Sequence, residues 1–370
     1  MPSRAPALAG FTGLGLFWGA FSSLLPAIQR STGASKGELG IALLFITIGS
    51  LPAMLLTGRA VDRYGSRVAG FACALFAAGT ALPGLATSVV ALSAALVVAG
   101  AGSGALDVAV NARVARIEEQ TKRRLMPLAH ALYSVGVVVG AVGAGVAREV
   151  GAPRESIMLA VAAVLAAVAA ANRGPDDSPA RAAAPRLHVD RALLAIGLIG
   201  AVAFVVEGGL ESWSALFLDR EHDSSPAVSG LGPGLFALAM AAGRFSAQGA
   251  HRAHDRPLLV AGAVTAALGA AIVAASPNAP VALGGFALGG AGVSLAAPIL
   301  FGAAGRGREH TGSAVATVTT LGYLGFLVGP PLMGGVSSAA GLRIGMLMLA
   351  GFALLVAAGA RTLPPDGTRG

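Results

Sequence analysis

Twelve runs of apolar residues, each close to twenty long, dominate this chain and limit what it can fold into. They fall at 8–29, 38–57, 68–86, 89–112, 127–148 and 155–171, then at 191–218, 228–249, 257–276, 280–304, 312–335 and 343–360. About 20 apolar residues cross a bilayer as one helix, and backbone inside hydrocarbon must satisfy its own polar groups. The pattern therefore predicts an all-α integral membrane protein with twelve transmembrane helices. Composition points the same way. Charged residues make up 12% of the chain, against roughly 25% in soluble domains, and mean hydropathy is +0.74. The first run is too long for the core of a cleaved leader and lacks a small-residue exit, so it reads as the first membrane helix.

The runs fall into two sets of six. Between them lies a stretch rich in Pro, Arg and Asp, residues 173–190, which reads as a cytoplasmic linker. It separates an N-terminal six-helix bundle, 1–172, from a C-terminal one, 191–370. Basic residues concentrate at one side: Arg59, Arg63 and Arg67; Arg113, Arg116 and Lys122 to Arg124; Arg244, Arg252 and Arg256; Arg306 and Arg308. The other side keeps Arg30, Lys36, Arg148, Arg154, Arg220 and Arg343. The positive-inside rule then puts both termini in the cytoplasm. In a bacterial cell this is a multi-pass protein of the cytoplasmic (inner) membrane. The net charge of +8 does not indicate nucleic acid, because no basic stripe is interleaved with aromatics.

The halves repeat weakly. "GRAVDRYGSR" from Gly58 has a counterpart in "GRFSAQGAHRAHDR" from Gly243, and "GVVVG" from Gly136 aligns with "GFLVG" from Gly325. A parallel repeat places the two bundles about a pseudo-twofold axis, with a site near mid-membrane.

The segment "GRAVDRYGSRV", Gly58 to Val68, resembles the G-x-x-x-D-R-x-G-x-R loop between helices two and three of the major facilitator superfamily. Gly58, Asp62, Arg63, Gly65 and Arg67 match it. The resemblance implies a cytoplasmic gate held by this loop, with Asp62 accepting bonds from a helix N-terminus or pairing with an arginine such as Arg113 or Arg116. Gly58 is expected to let helices approach closely, and Gly65 to permit a turn. Within the superfamily, "GAGSGALDVAVNARVARIEE" resembles the fucose-permease-like bacterial branch, where helix four carries an acid followed four residues later by Asn. Here these are Asp107 and Asn111. The characterised sugar symporter has Glu at the first of these positions, and an acid in helix one that this chain lacks. The resemblance also implies that helices one, four, seven and ten line the cavity.

Three acids interrupt the apolar runs: Asp107, Glu207 and Glu211. A carboxylate at mid-bilayer costs roughly 2.5–3.5 kcal/mol even on the lenient insertion scale. Each must therefore line a wet cavity, meet a cation or carry a proton. Glu207 and Glu211 share a helix face one turn apart and are the best proton-carrier candidates. Gly208 and Gly209 between them weaken the helix and could allow a break that exposes backbone to substrate. Structural alternatives stay open. Glu211 could be solvated in an outer vestibule, Glu207 could bond a neighbouring helix, and Asp107 could pack against Asn111 or Arg113. Trp18 and Trp213 are candidate cavity aromatics, with Trp213 alternatively an interfacial anchor. His130 is a candidate proton relay or an interfacial histidine. In helix eleven, Gly325, Gly329 and Pro330 predict close packing and a kink.

No nucleotide-binding loop, catalytic triad or metal-ligand spacing occurs, and the lone Cys73 sits in an apolar run. An enzyme and a cofactor are therefore not expected. The expected activity is secondary transport of a small solute, coupled to protons, by a monomer, with a sugar-like substrate on resemblance alone. The alternatives are a drug or metabolite efflux antiporter and, remotely, a non-transporting receptor or scaffold.

Overall fold

The computed structural model describes residues 5–65, 67–121, 125–171, 190–246, 255–306 and 311–363. Helices make up nearly all of it. The first set is α1 (Ala5–Thr32), α2 (Lys36–Tyr64), α3 (Arg67–Leu85), α4 (Val89–Thr121), α5 (Met126–Glu149) and α6 (Arg154–Ala171). The second set is α7 (Arg191–Ser212), α8 (Ser214–Glu221), α9 (Pro226–Ser246), α10 (Asp255–Ala275), α11 (Ala279–Val293), α12 (Ala296–Gly305), α13 (Thr311–Ala340) and α14 (Leu342–Gly359). Among the described residues, eleven helical stretches are long and apolar enough to cross a membrane. The stretch read as a linker lies, from 172 to 189, outside the described residues.

Local signals place the helix ends. At α2, Ser35 Oγ accepts from the Glu38 N–H while Glu38 Oε2 accepts from the Ser35 N–H, 2.9 Å away, a reciprocal cap. Asp190 caps α7 by accepting from the Leu193 N–H at 2.8 Å, and Asn278 caps α11 through the Val281 N–H at 3.1 Å. Gly65 ends α2 at φ 65°, where a side chain would be strained.

The described residues form two compact units. One lies within Met1–Ala182 and Asp223–Gly234, the other within Ala183–His222 and Leu235–Gly370. In the first, α1 packs on α5, α2 on α4, and α3 on both α4 and α6. In the second, α7 packs on α13, and α10 on both α11 and α14. Three pairings of the first unit thus have counterparts in the second: α1–α5 with α7–α13, α3–α4 with α10–α11, and α3–α6 with α10–α14.

Small residues make these contacts possible. A Cβ added to Gly19 would overlap Val137 O and lie 2.7 Å from Ala141 N, so α1 and α5 meet backbone to backbone. Gly325 does the same for α13 against Ala201 O of α7. A Cβ added to Gly329 would lie 3.5 Å from Val205 Cα, an ordinary van der Waals contact. Pro330 and Pro331 lie inside α13, which continues to Ala340. One expectation is corrected: Gly58 has nothing within 4 Å of an added Cβ. The close approach of α2 occurs instead at Gly49, against Val97 O of α4.

Candidate functional site

On α7, Glu207 and Glu211 stand one turn apart, and α9 brings a cation to them. Arg244 Nη2 lies 3.8 Å from Glu207 Oε1. This is an ion pair longer than a hydrogen bond. Side-chain exposures of 31% for Arg244 and 14% for Glu207 show a pair that is neither dry nor freely solvated. The same guanidinium donates from Nε to Ser294 O at 3.2 Å. Gly243 makes this reach possible, since a Cβ there would collide with Ser294 Oγ.

Ser294 is no ordinary helix residue. It caps the end of α11, and α12 begins at Ala296, so a run read from sequence as one span is two helices. The span read at 191–218 is likewise broken. α7 ends at Ser212, Trp213 sits at φ −95° and ψ −2°, and α8 starts at Ser214. Ser214 Oγ donates to Glu211 O at 2.7 Å, and Arg244 takes Ser294 O. Polar side chains therefore occupy carbonyls at both breaks, which is what discontinuous membrane helices require. The break expected at Gly208–Gly209 is not there. α7 runs straight through both residues, because their missing side chains admit neighbours: the Phe326 ring beside Gly208 and the Leu349 side chain beside Gly209.

One turn before Glu207, Phe204 stacks on Phe326 with centroids 4.7 Å apart, and Tyr323 lies 6.2 Å away edge-on. Phe204 and Glu211 are seven residues apart, so rings and carboxylates share one side of α7. Trp213 is 1% exposed. An interfacial anchoring role is thereby corrected, because a ring seated inside the unit does not meet lipid headgroups.

The first unit holds a separate polar group. Asn111 Nδ2 donates to Asp107 Oδ1 at 3.0 Å and to Asp107 O at 2.9 Å, a contact within one helix turn of α4. Arg113 is buried two residues further on. Trp18 is half-buried and packs edge-on against Phe17 and Phe21. His130 is exposed and meets the Phe11 ring at 5.3 Å. In the loop motif, Arg63 lies over the Tyr64 ring at 5.3 Å and Arg67 opens α3 exposed. The Asp62 side chain lies outside the described residues.

The sequence reading missed Arg244 as a partner, counting it only among the basic residues of the cytoplasmic side of the 228–249 span. A signal was present: the "GR" of Gly243–Arg244 repeats that of Gly58–Arg59. Its reach to Glu207 is tertiary, and no spacing encodes it. Among the described residues no group of His, Cys, Asp and Glu could hold a metal ion.

The comparisons with known proteins agree with this architecture. A family model described as Major Facilitator Superfamily matches residues 7–306. An uncharacterized MFS-type transporter of Yersinia pestis is 34% identical over 360 residues, covering 94% of this chain and 92% of that protein. Among solved structures, a variant of the nucleoside transporter NupG superposes with a TM-score of 0.81 at 10% identity, covering 97% of this chain and 98% of that one. The E. coli fucose:proton symporter FucP superposes with a TM-score of 0.63 at 16% identity, covering 98% of each chain. At such identities these structures establish the fold alone.

Proposed function

Because this chain belongs to the Major Facilitator Superfamily and is a membrane transporter rather than an enzyme, we propose that it moves a small solute by alternating access, coupled to a proton carried at Glu207 and Glu211. The observation that carries this reading is the charge imbalance on α7. Two carboxylates face a single guanidinium, Arg244, at two helix breaks. One proton would balance the group, and low-dielectric surroundings make an unbalanced charge costly. Loading and unloading that proton changes whether Arg244 is held by Glu207. This gives the acids a role that packing alone would not need.

The remaining assignments follow from the same reading. α13 supplies a twelfth span, both termini face the cytoplasm, and residues 173–190 link two six-helix bundles of a monomer in the bacterial inner membrane. Asp62, with Gly58, Arg63, Gly65 and Arg67, forms the cytoplasmic gate. Asp107, Asn111, Trp18 and Trp213 contribute to the substrate path. A sugar-like solute rests on branch resemblance only. The ring cluster of Phe204, Tyr323 and Phe326 supports a second reading, export of an amphipathic solute in exchange for protons. Proteoliposomes carrying an internal pH dye test both. Sugars, sugar acids and amphipathic metabolites are added in turn, and the sign of the pH change separates symport from antiport. A solute that crosses with no proton movement would remove the coupling assignment.

A further inference from the structure

Pro298 stands in the first turn of α12, and it has no N–H for the Ser294 carbonyl four residues back. One residue later the regular pattern has resumed, because the Ile299 N–H donates to Leu295 O at 3.0 Å. The backbone stays right-handed through the break, with Ser294 at φ −52° and ψ −35° and Leu295 at φ −99° and ψ −8°. An N–H at position 298 would therefore point at Ser294 O. In the first unit α4, which packs on α3 as α11 packs on α10, contains no proline and runs unbroken over Val89–Thr121.

Ser294 is 1% exposed, and a buried carbonyl in a membrane protein needs a donor. Arg244 Nε supplies one at 3.2 Å. That bond fixes the guanidinium, and it leaves Nη2 3.8 Å from Glu207 Oε1. A charge-assisted bond between such groups closes to about 2.8 Å when nothing restrains it. The Glu207–Arg244 pair is thus held apart by a bond that the same guanidinium makes on its other side. Arg244 has two acceptors, a carboxylate on α7 and a carbonyl at the α11–α12 break, and it is docked on the carbonyl.

We propose that Pro298 is a positioning residue for the coupling pair: it leaves Ser294 O open, Arg244 Nε docks there, and the guanidinium is kept from locking onto Glu207. This rests on the coupling role given above to Glu207. A closed, bidentate arginine–carboxylate pair is strong and geometrically specific, and Glu207 would have to break it to take up a proton. A guanidinium already anchored on a carbonyl needs no new partner when Glu207 changes charge. Ser294 O is then the resting place of Arg244 in both states, and only the long contact to Glu207 is made and lost. The break in the α11–α12 run gains a use that a bend alone does not give, since it creates the acceptor that holds Arg244.

Double-mutant cycles read this role from equilibrium unfolding of the full-length, detergent-solubilised protein. With Glu207→Gln in place, the effect of Arg244→Gln isolates the bond to Ser294 O. It is expected to shift the unfolding equilibrium about tenfold, the effect of leaving a buried acceptor without its donor. That shift is expected to vanish when Pro298→Ala restores the N–H. With Glu207 present, Pro298→Ala is expected to raise the Glu207–Arg244 coupling about tenfold, read as a ratio of equilibrium constants, because the pair can then close to a hydrogen bond between charged groups. Pro298→Gly is expected to match Pro298→Ala on both counts. It restores the same N–H with a much lower helix propensity than Ala, so agreement between the two assigns the effect to the bond and not to helix stiffness. An Arg244→Gln effect that persists in both Pro298 variants would overturn the positioning role. So would a Glu207–Arg244 coupling that neither variant raises, or that Pro298→Ala alone raises. The coupling role of Glu207 fails separately, by an absence of solute-driven proton movement in proteoliposomes of the unmodified protein. Unfolding reads the pair without transport, so the two failures are distinct.

Discussion

The pair between Glu207 and Arg244 should be measurable as a coupling energy, without knowledge of the transported solute. At 3.8 Å and an effective dielectric near 20, two unit charges attract by about 4 kcal/mol. Partial hydration of both groups lowers this, and interaction energies between contacting residues run from about 0.5 to 3 kcal/mol. The expected coupling is therefore roughly 1–3 kcal/mol. Three variants are needed: Glu207→Gln, Arg244→Gln and the double substitution. Equilibrium unfolding of the solubilised protein in a denaturing detergent supplies the stabilities. Arg244→Gln should be the more damaging single change, because it also removes the bond to Ser294 O. That loss occurs in both variants lacking Arg244, so it cancels in the cycle and leaves the pair alone. Stabilities that add within about 0.5 kcal/mol would show two charges that are near each other but not coupled, and the charge-balance argument would lose its basis.

Other expectations are quicker to check. Gly19→Ala should destabilise by roughly 1–3 kcal/mol, since its Cβ has no room against α5 backbone, whereas Gly143→Ala, with nothing within 4 Å, should stabilise by up to about 1 kcal/mol; thermal unfolding of the two variants should shift in opposite directions. His222, between α8 and α9, accepts a proton less readily than an ordinary histidine, because burial and the Arg343 guanidinium oppose the imidazolium more than Glu221 favours it. Its neutral ring is bonded to Ser276 Oγ at 2.8 Å. The unfolded chain then binds the proton first, so this contribution is complete above about pH 6.5 and is lost as pH falls through the lower folded value. His222→Gln should flatten that part of the profile, and parallel profiles for the two proteins would refute the assignment. Asp62→Asn should impair transport while the protein still folds and inserts, and undiminished transport would rule out the gate role.

The sequence was most informative where a single physical rule decides the outcome. Apolar run length placed α1 to α6 within a few residues, apart from the C-terminal extensions of α2 to Tyr64 and of α4 to Thr121, because a bilayer imposes a length that no neighbour can override. Glu207 and Glu211 were legible for the same reason: a carboxylate inside such a run needs an explanation. The helix breaks at Trp213 and Ser294 were missed in the sequence. Signals were present at both, in Ser212 and Ser214 beside Trp213 and in Pro298, which has no N–H for the Ser294 carbonyl four residues back, but the glycines that looked weak, Gly208 and Gly209, turned out to make room for Phe326 and Leu349. Glycine in a membrane helix signals either flexibility or close packing, and only the neighbouring helix distinguishes them. Gly58 shows the opposite case, a glycine with open space around it. Arg244 was hidden by its position. A residue near a helix end reads as surface charge until its long side chain is seen reaching Glu207 on α7 and the Ser294 carbonyl.

The most direct test of the account is solute-evoked proton flux in proteoliposomes, comparing the unmodified protein with Glu207→Gln, Glu211→Gln and Asp107→Asn. The account predicts that substitution in the α7 pair abolishes net proton movement while solute exchange across the membrane persists, and that Asp107→Asn, whose carboxylate is already bonded to Asn111, retains coupled flux. Coupled flux that survives both glutamate substitutions, or that disappears only with Asp107→Asn, would contradict it.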